Sequence, residues 1–267
     1  MTPYSTPSPS SGTRHLADLR GPQISQMLLP TSILLQPLGA IEQHGPHLPL
    51  STDSVVARAV AEEAVRRCGE ELDVWLLPAL DYTKSNEHAW SPGTMWLSAT
   101  TLLAVLDDIG RCVATTPAQR LVFLNGHGGN SALLNVACRE IRLAHGLMTF
   151  LTHPGQPADQ GGSSPASELG MGVHGGTEET SIMLHLAPDL VDMSQAVRRV
   201  PDRLARNERV RFGGTVSFGW LSNDFFDEGI IGDPTPATAE LGAALFDGAV
   251  RNLCAGLAEV ATFNFGR

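Results

Sequence analysis

The sequence has few cysteines, and none of them shows a spacing that binds a metal. Four cysteines occur among 267 residues, at positions 68, 112, 138 and 254, and none forms a C-x-x-C pair. The sequence also lacks any apolar run approaching the ~18 residues of a membrane helix. Dispersed thiols and the absence of a membrane span predict a cytoplasmic protein with reduced cysteines.

Positive charge is also scarce. Lys and Arg number 18 against 28 Asp and Glu, which gives a formal net charge of -10. There is no clustered basic stripe, so the composition argues against a nucleic-acid partner and favours a small-molecule substrate. The glycine-rich segment "NGHGGN" lacks the lysine and hydroxyl of a phosphate-binding P-loop. No G-x-S-x-G motif is present, which argues against serine hydrolase chemistry.

The order of elements predicts an α/β fold. Short apolar runs predict strands at 32–39, 74–80, 120–126 and 147–153, and helical periodicity predicts helices at 54–69, 98–115, 130–146, 178–186 and 238–261. This alternation favours a mostly parallel sheet covered on both faces. Residues 212–220 are typical of a β-hairpin or two short strands. The Pro/Ser/Thr-rich residues 1–13 predict a disordered leader, and 14–267 a single domain.

Polar residues follow the first three predicted strands. Glu42, His44 and Asp53 come after the first strand, Glu87 and His88 after the second, and His127 after the third. Ligand sites in open α/β sheets gather at the carboxyl ends of the strands. We therefore expect these side chains to share one edge of the sheet.

The types of these residues favour a metal site. Glu42 and His44 are two positions apart, so both point to the same side of an extended segment. Carboxylates mixed with imidazoles suit Zn²⁺, Mn²⁺ or Fe²⁺. Two alternatives remain open, because the segment could be an exposed polar turn and Asp53 could be the N-cap of the following helix.

Two further segments carry candidate residues. His127 stands between two glycines, where a ligand is favoured over a core histidine. In "HGGTEETS", Glu178 and Glu179 begin a predicted helix, so each could complement the helix dipole or face inward. His174 could act as a base, as a partner of a ligand, or as neither. Together the histidines and carboxylates fit a two-metal hydrolytic centre that polarises a carbonyl.

Four segments, in this order, resemble the creatininase (creatinine amidohydrolase) family. They are "LQPLGAIEQHGPHLPLSTD", "SPGTMWL", "LVFLNGHGGN" and "HGGTEETSIML". The resemblance implies a three-layer α/β/α sandwich with a mostly parallel sheet, and two divalent metal ions (Zn, Mn or Fe). It also implies hydrolysis of a non-peptide C–N bond and assembly into a homohexamer.

The resemblance also assigns roles to individual residues. It implies the metal ligands Glu42, His44, Asp53 and His127, with Asp53 bridging the two ions. Creatininases resemble "NGHYEN" where this chain has "NGHGGN", so Gly129 replaces a ligating glutamate. Glu179 of the "ETS" segment is the expected fifth ligand. His47 matches no ligand position.

His174 matches the proton-transfer histidine of creatininases, which place a glutamate immediately before it where this chain has Val173. The expected reaction is cleavage of the C–N bond of a small cyclic amide, formamide or related substrate by a metal-activated water. Alternatives are a metallopeptidase that trims a short peptide, a hydrolase of a keto-cyclitol or similar metabolite, and a non-catalytic sugar- or nucleotide-binding domain. Candidates for the substrate pocket are Glu87, His88, Trp90, Trp220 and Asp224, each of which could instead be structural.

Overall fold

A parallel β-sheet forms the centre of this computed structural model, which describes residues 14–155 and 164–266. Its strands are β1 (Ile33–Leu38), β2 (Val74–Leu76), β3 (Arg120–Asn125) and β4 (Met148–Thr152). Their spatial order is β2-β1-β3-β4, and every neighbouring pair runs parallel. The predicted leader, 1–13, and residues 156–163 lie outside the described residues.

Six α-helices of the described chain accompany the sheet. They are α1 (Gly21–Met27), α2 (Thr52–Cys68), α3 (Ala99–Val113), α4 (Ser131–His145), α5 (Thr177–Leu186) and α6 (Ala239–Thr262). Periodicity predicted all of these except α1, with bounds that differ by at most two residues. The sequence does not predict α1, because this helix has only seven residues and Pro22 in its first turn is a weak signal of a helix start.

The strands bury side chains on both faces of the sheet. Ile33, Leu35 and Val122 pack in one apolar cluster with residues of α2, α5 and α6. Leu34 and Phe123, which alternate with them, pack in a second cluster with residues of α3 and α4. Helices therefore cover each face, which explains the continuous apolar runs of β1 and β3. The predicted three-layer α/β/α sandwich is confirmed.

Two predicted strand segments differ in the structure. β2 ends at Leu76, because Pro78 has no N–H to donate, although Leu80 resumes pairing with Leu38. The predicted hairpin at 212–220 is wrong: these residues form turns, and a single isolated bridge joins Val210 to Val216. The rings of Phe218 and Trp220 instead pack against Phe212 in a small apolar cluster.

Among residues 14–155 and 164–266, no helix combines the length and apolar character needed to cross a membrane. The four cysteines are free thiols.

Glu168 connects the start of α5 to the segment that precedes α6. Its buried Oε1 atom accepts hydrogen bonds from the backbone N–H of Thr177 (2.9 Å) and of Asp233 (2.8 Å). Thr177 Oγ1 also donates to the carbonyl of Asp233 at 2.6 Å. One carboxylate oxygen therefore fixes the first residue of the helix that carries Glu179.

We expect Glu168→Ala to destabilise the protein and Glu168→Gln to be tolerated. Alanine leaves two buried N–H donors without an acceptor, at about 1–3 kcal/mol each. Glutamine keeps one carbonyl oxygen, which is sufficient because both donors share Oε1. Urea unfolding of the two variants measures the difference. Equal stability of the two would contradict this account of the connection.

Candidate metal centre

The predicted site residues meet at the carboxyl edge of the sheet. Glu42 and His44 follow β1, His127 follows β3, and Asp53 lies in the first turn of α2. A Cβ atom at Gly39 would lie 2.4 Å from Cα of Ser54, so this glycine allows α2 to approach the end of β1. Asp53 is not the N-cap of α2, since Ser51 holds that position.

One group of ligand atoms comes from Glu42, Asp53 and His127. Nδ1 of His127 lies 3.0 Å from Asp53 Oδ2 and 3.3 Å from Glu42 Oε1. All three side chains are buried, with at most 5% exposure. Buried charges of this kind require a partner, and a divalent cation supplies one.

A second group contains His44, His174 and Glu179, and a further combination, Glu42, His88 and His174, shares members with both. Nε2 of His44 lies 3.2 Å from Asp53 Oδ1, so the two oxygens of Asp53 face the two groups separately. Glu179 is held by the backbone N–H of Gly175, which donates to its Oε2 at 2.6 Å. The predicted ligands Glu42, His44, Asp53, His127 and Glu179 are thus brought together, and His174 joins them.

Two buried ligand atoms make no hydrogen bond with any described residue: Nε2 of His44 and Oδ2 of Asp53. Each lies 3.0–3.2 Å from a ligand atom of the other residue type without forming a hydrogen bond to it. Orphaned buried polar atoms are costly and call for an explanation. A cation between the converging ligand atoms would satisfy both, so the residues fit a metal.

The protonation behaviour of the site also indicates excess negative charge. Burial opposes protonation of His44, but the carboxylates of Asp53, Glu179 and Glu42 outweigh it and raise its pKa to about 10. Burial likewise opposes protonation of His127, yet Glu42 and Asp53 raise its pKa well above its usual range. Without metal, protons on these two rings therefore take the role of the cations. Burial, with help from the charges of Asp53 and Glu42, raises the pKa of Glu179 to about 7.

Gln43 fixes the proton positions of two histidines beside the ligands. Its Oε1 accepts from the N–H of Gly45, so its amide nitrogen donates to Nδ1 of His88 at 3.0 Å. The proton of His88 therefore resides on Nε2, which lies 3.5 Å from Glu42 Oε1. His174 donates from Nε2 to the carbonyl of Gln43 at 2.7 Å, which leaves a lone pair on Nδ1.

Both of these histidines are neutral. Burial, reinforced by the neighbouring His127 and His44, lowers the pKa of His88 to about 3. Burial, with His88 and His44, lowers that of His174 well below its usual value. Nδ1 of His174, 3.8 Å from Glu42 Oε1, therefore carries an unprotonated lone pair at neutral pH.

A cavity of about 170 Å³ opens onto this centre. Of the predicted pocket residues, Glu87, His88 and Trp220 line it, together with His127, His174 and Glu179. Trp90 lies outside its lining and donates to Ser222 Oγ at 2.7 Å. Asp224 lines a different depression, and its carboxylate accepts from the N–H of Leu221.

Several supporting residues were missed in the sequence. Gln43, Lys84 and Ser85 contact predicted site residues, and Ser85 Oγ donates to Glu42 Oε2. Gln43 could have been found from its position between two predicted ligands. Within the described residues His47 belongs to no ligand group, and its Nε2 contacts Thr180 Oγ1 at 2.9 Å.

The comparisons with known proteins support a hydrolase that acts on carbon–nitrogen bonds. The sequence model of the family described as creatininase, creatinine amidohydrolase, matches residues 17–257. The chain belongs to the creatininase family.

Curated relatives carry two different activities. The chain is 37% identical over 217 residues to the mycofactocin precursor peptide peptidase of Mycolicibacterium smegmatis, covering 80% of this chain and 79% of the relative. It is 35% identical over 185 residues to the creatinine amidohydrolase of Pseudomonas putida, covering 63% and 70%. A crystal structure of creatinine amidohydrolase aligns with a TM-score of 0.74 at 25% identity, covering 95% of this chain and all of that one. A structure described as manganese creatininase aligns with a TM-score of 0.70 at 25% identity, covering 93% and 98%.

We expect removal of metal to lower the melting temperature of the protein. A cation that binds only the folded state stabilises that state, and a chelator removes this contribution. At free metal about 1,000-fold above Kd, re-addition of Zn²⁺ or Mn²⁺ should contribute about 4 kcal/mol. Calorimetry before and after re-addition measures this difference, and Ca²⁺ serves as the control because it prefers six to eight oxygen ligands. An unchanged melting temperature would contradict a metal centre here.

Proposed function

We propose that this protein is a dinuclear metal-dependent amidohydrolase that cleaves the C–N bond of an amide. One observation carries the proposal: Asp53 presents Oδ2 to the group containing His127 and Oδ1 to the group containing His44. A carboxylate between two ligand groups is what a bridging ligand requires. The catalytic candidates are therefore the ligands Glu42, His44, Asp53, His127 and Glu179 and the proton-transfer residue His174.

Two divalent cations, when bound, would polarise the substrate carbonyl and lower the pKa of a water. The chain's own residues orient the reaction around them. His174 is fixed by its bond to the Gln43 carbonyl, so its Nδ1 lone pair faces the ligand groups. It can take the proton released by the attacking water and pass it to the leaving nitrogen. Burial of the ligands excludes bulk water and strengthens their electrostatic effect.

A peptide is favoured over creatinine as the substrate class. Gly129 and Val173 depart from the creatininase pattern at two positions beside the centre. The relatives named as mycofactocin precursor peptide peptidases match 80–86% of this chain, whereas the creatinine amidohydrolase matches 63%. This supports trimming of a short peptide by the same chemistry. Hydrolysis of a small cyclic amide, a formamide or a keto-cyclitol is the other candidate.

A hydrolysis screen tests the proposal. The metal-loaded protein would be incubated with short peptides, creatinine, formamides, lactams, ureides and a keto-cyclitol, and release of amine or carboxylate would be followed. We expect turnover of a peptide and none of creatinine. Turnover of creatinine instead would refute the substrate assignment. Less than about half an equivalent of metal per chain would refute the metal centre and favour a binding module.

We further propose that 14–267 form a single domain of a cytoplasmic homohexamer. Free thiols and a family match over 17–257 support this. Tyr82, Met95 and Trp96 are large apolar side chains exposed at the surface. Exposed apolar surface favours association, so these residues support an interface between copies of the chain. Light scattering gives the mass of the assembly, and a monomer in solution would contradict it.

A further inference from the structure

The segment after β2, residues 84–88, contacts Glu42 and His127, two members of the group formed by Glu42, Asp53 and His127. Ser85 Oγ donates to one oxygen of Glu42, and His88 Nε2 lies 3.5 Å from the other. Sequence patterns placed Glu87 and His88 in a substrate pocket. Both line the cavity, and both make polar contacts with candidate metal ligands.

His127 is held by this segment through the nitrogen that faces away from the ligand group. Nε2 of His127 lies 2.9 Å from the carbonyl of Lys84. A carbonyl can only accept, so the proton resides on Nε2. Nδ1 therefore keeps its lone pair for a cation, on the side of Asp53 and Glu42.

Glu87 provides a second, charged acceptor for the same nitrogen. Its Oε1 lies 3.3 Å from His127 Nε2, and Lys84 Nζ donates to its Oε2 at 3.0 Å. The Glu87 side chain is about one-tenth exposed, so this contact is weakly screened. A carboxylate on the outer nitrogen of a metal-binding imidazole fixes the ring and raises its basicity.

The absence of a side chain at position 129 makes room for this carboxylate. A Cβ atom at Gly129 would lie 1.8 Å from Glu87 Oε1 and 2.5 Å from His127 Nε2. Both distances are far below van der Waals contact. Glu87 as placed here and any side chain at 129 therefore exclude each other.

We propose that Glu87 is a positioning residue that orients His127 for a divalent cation, and that Gly129 provides the space for its carboxylate. This rests on the proposed function, because it assumes a cation at Nδ1 of His127. It gives Glu87 a role in metal affinity rather than in substrate recognition. It also accounts for the pairing of a glycine at 129 with a glutamate at 87.

The test measures affinity for Zn²⁺ alone, by competition with a chromogenic chelator, in the full-length protein. We expect Glu87→Ala to weaken Zn²⁺ binding at the site that includes His127 by about 10–100-fold. Glu87→Gln should stay within about threefold of wild type, because its carbonyl oxygen can still accept from His127. Glu178→Ala, which removes another carboxylate from the same cavity, should stay within about threefold of wild type because Glu178 is in no ligand group.

A substitution at position 129 provides a second, independent test of the inference. Gly129→Ala should weaken Zn²⁺ binding by about tenfold or more, since its methyl group meets Glu87 and His127. Gly155→Ala is the matched control: Gly155 lines the same cavity, and an added Cβ meets no atom of the described residues within 4 Å. Unfolding of each metal-free variant shows whether a loss of affinity reflects a loss of fold.

The outcomes separate the inference from the function on which it rests. Wild-type protein that binds no Zn²⁺ would overturn both. Tight wild-type binding with unchanged affinity in Glu87→Ala, or in Gly129→Ala, would overturn the inference alone. Equal loss in Glu87→Gln and Glu87→Ala would show that the acceptor on His127 is not what Glu87 provides. Loss in Glu87→Ala and Gly129→Ala with recovery in Glu87→Gln would support it.

Discussion

Asp53→Asn is expected to lower hydrolysis by roughly 10³-fold, as removal of a central electrostatic element does. Asp53 contacts both ligand groups, with Oδ1 near His44 and Oδ2 near His127. Asparagine has the same shape but only one oxygen and no charge, so it cannot bridge two cations. Elemental analysis of the purified variant should therefore show loss of metal together with loss of turnover.

The negative charge of Asp53 is also the reason that the effect should be large. Burial raises the pKa of Asp53, but His44 and His127 overcome this and hold the pKa well below its usual range. The carboxylate is thus ionised at every pH at which the protein would be assayed. Asparagine would leave two buried imidazoles facing each other without the anion between them.

Asp107 offers a matched control outside the ligand groups. Asp107 Oδ1 contacts His145 Nε2 at 2.9 Å, so it is also an aspartate paired with a histidine, but it belongs to no ligand group. Asp107→Asn should retain metal and activity. If Asp53→Asn retained full activity and metal as well, the bridging assignment would be wrong.

Sequence periodicity predicted the sheet and five helices because burial alone determines those patterns. β1 and β3 are buried on both faces, so their apolar runs are continuous and easily recognised. The segment 212–220 misled because Phe212, Phe218 and Trp220 have the β-propensity of a strand. In the structure these rings pack against one another, and local packing of that kind leaves no periodic signal.

The positions of the candidate ligands could be predicted from the sequence, but the role of Glu87 beside His127 could not. Glu42, His44 and His127 follow strand ends, and parallel topology brings strand ends to one edge. The role of Glu87 depends on how a turn after β2 directs its carboxylate, toward His127 Nε2 rather than into open space. Glu87 lies in a single 3₁₀ turn, Asn86–His88, and the direction of its side chain follows from tertiary contacts that composition and spacing do not contain.

Glu179→Gln is expected to lower the bound metal from about two equivalents per chain to about one, since a two-metal site depends on both ligand groups. Turnover should fall by about 10²-fold or more with it. Glu179 belongs to the group with His44 and His174, and its Oε2 is fixed by the N–H of Gly175. Glutamine keeps the volume and one acceptor for that N–H, so the loss should be in metal and not in fold.

The neighbouring Glu178 makes this prediction specific. Successive residues of a helix point about 100° apart, so one glutamate of the pair can face the centre while the other does not. Burial and then the charge of Glu168 raise the pKa of Glu178, and it lines the cavity outside the ligand groups. Glu178→Gln should therefore keep both metal equivalents. If Glu178→Gln lost metal and Glu179→Gln kept it, the fifth ligand would be Glu178. If both variants kept it, neither glutamate of α5 would take the place of the ligating glutamate that creatininases have at position 129.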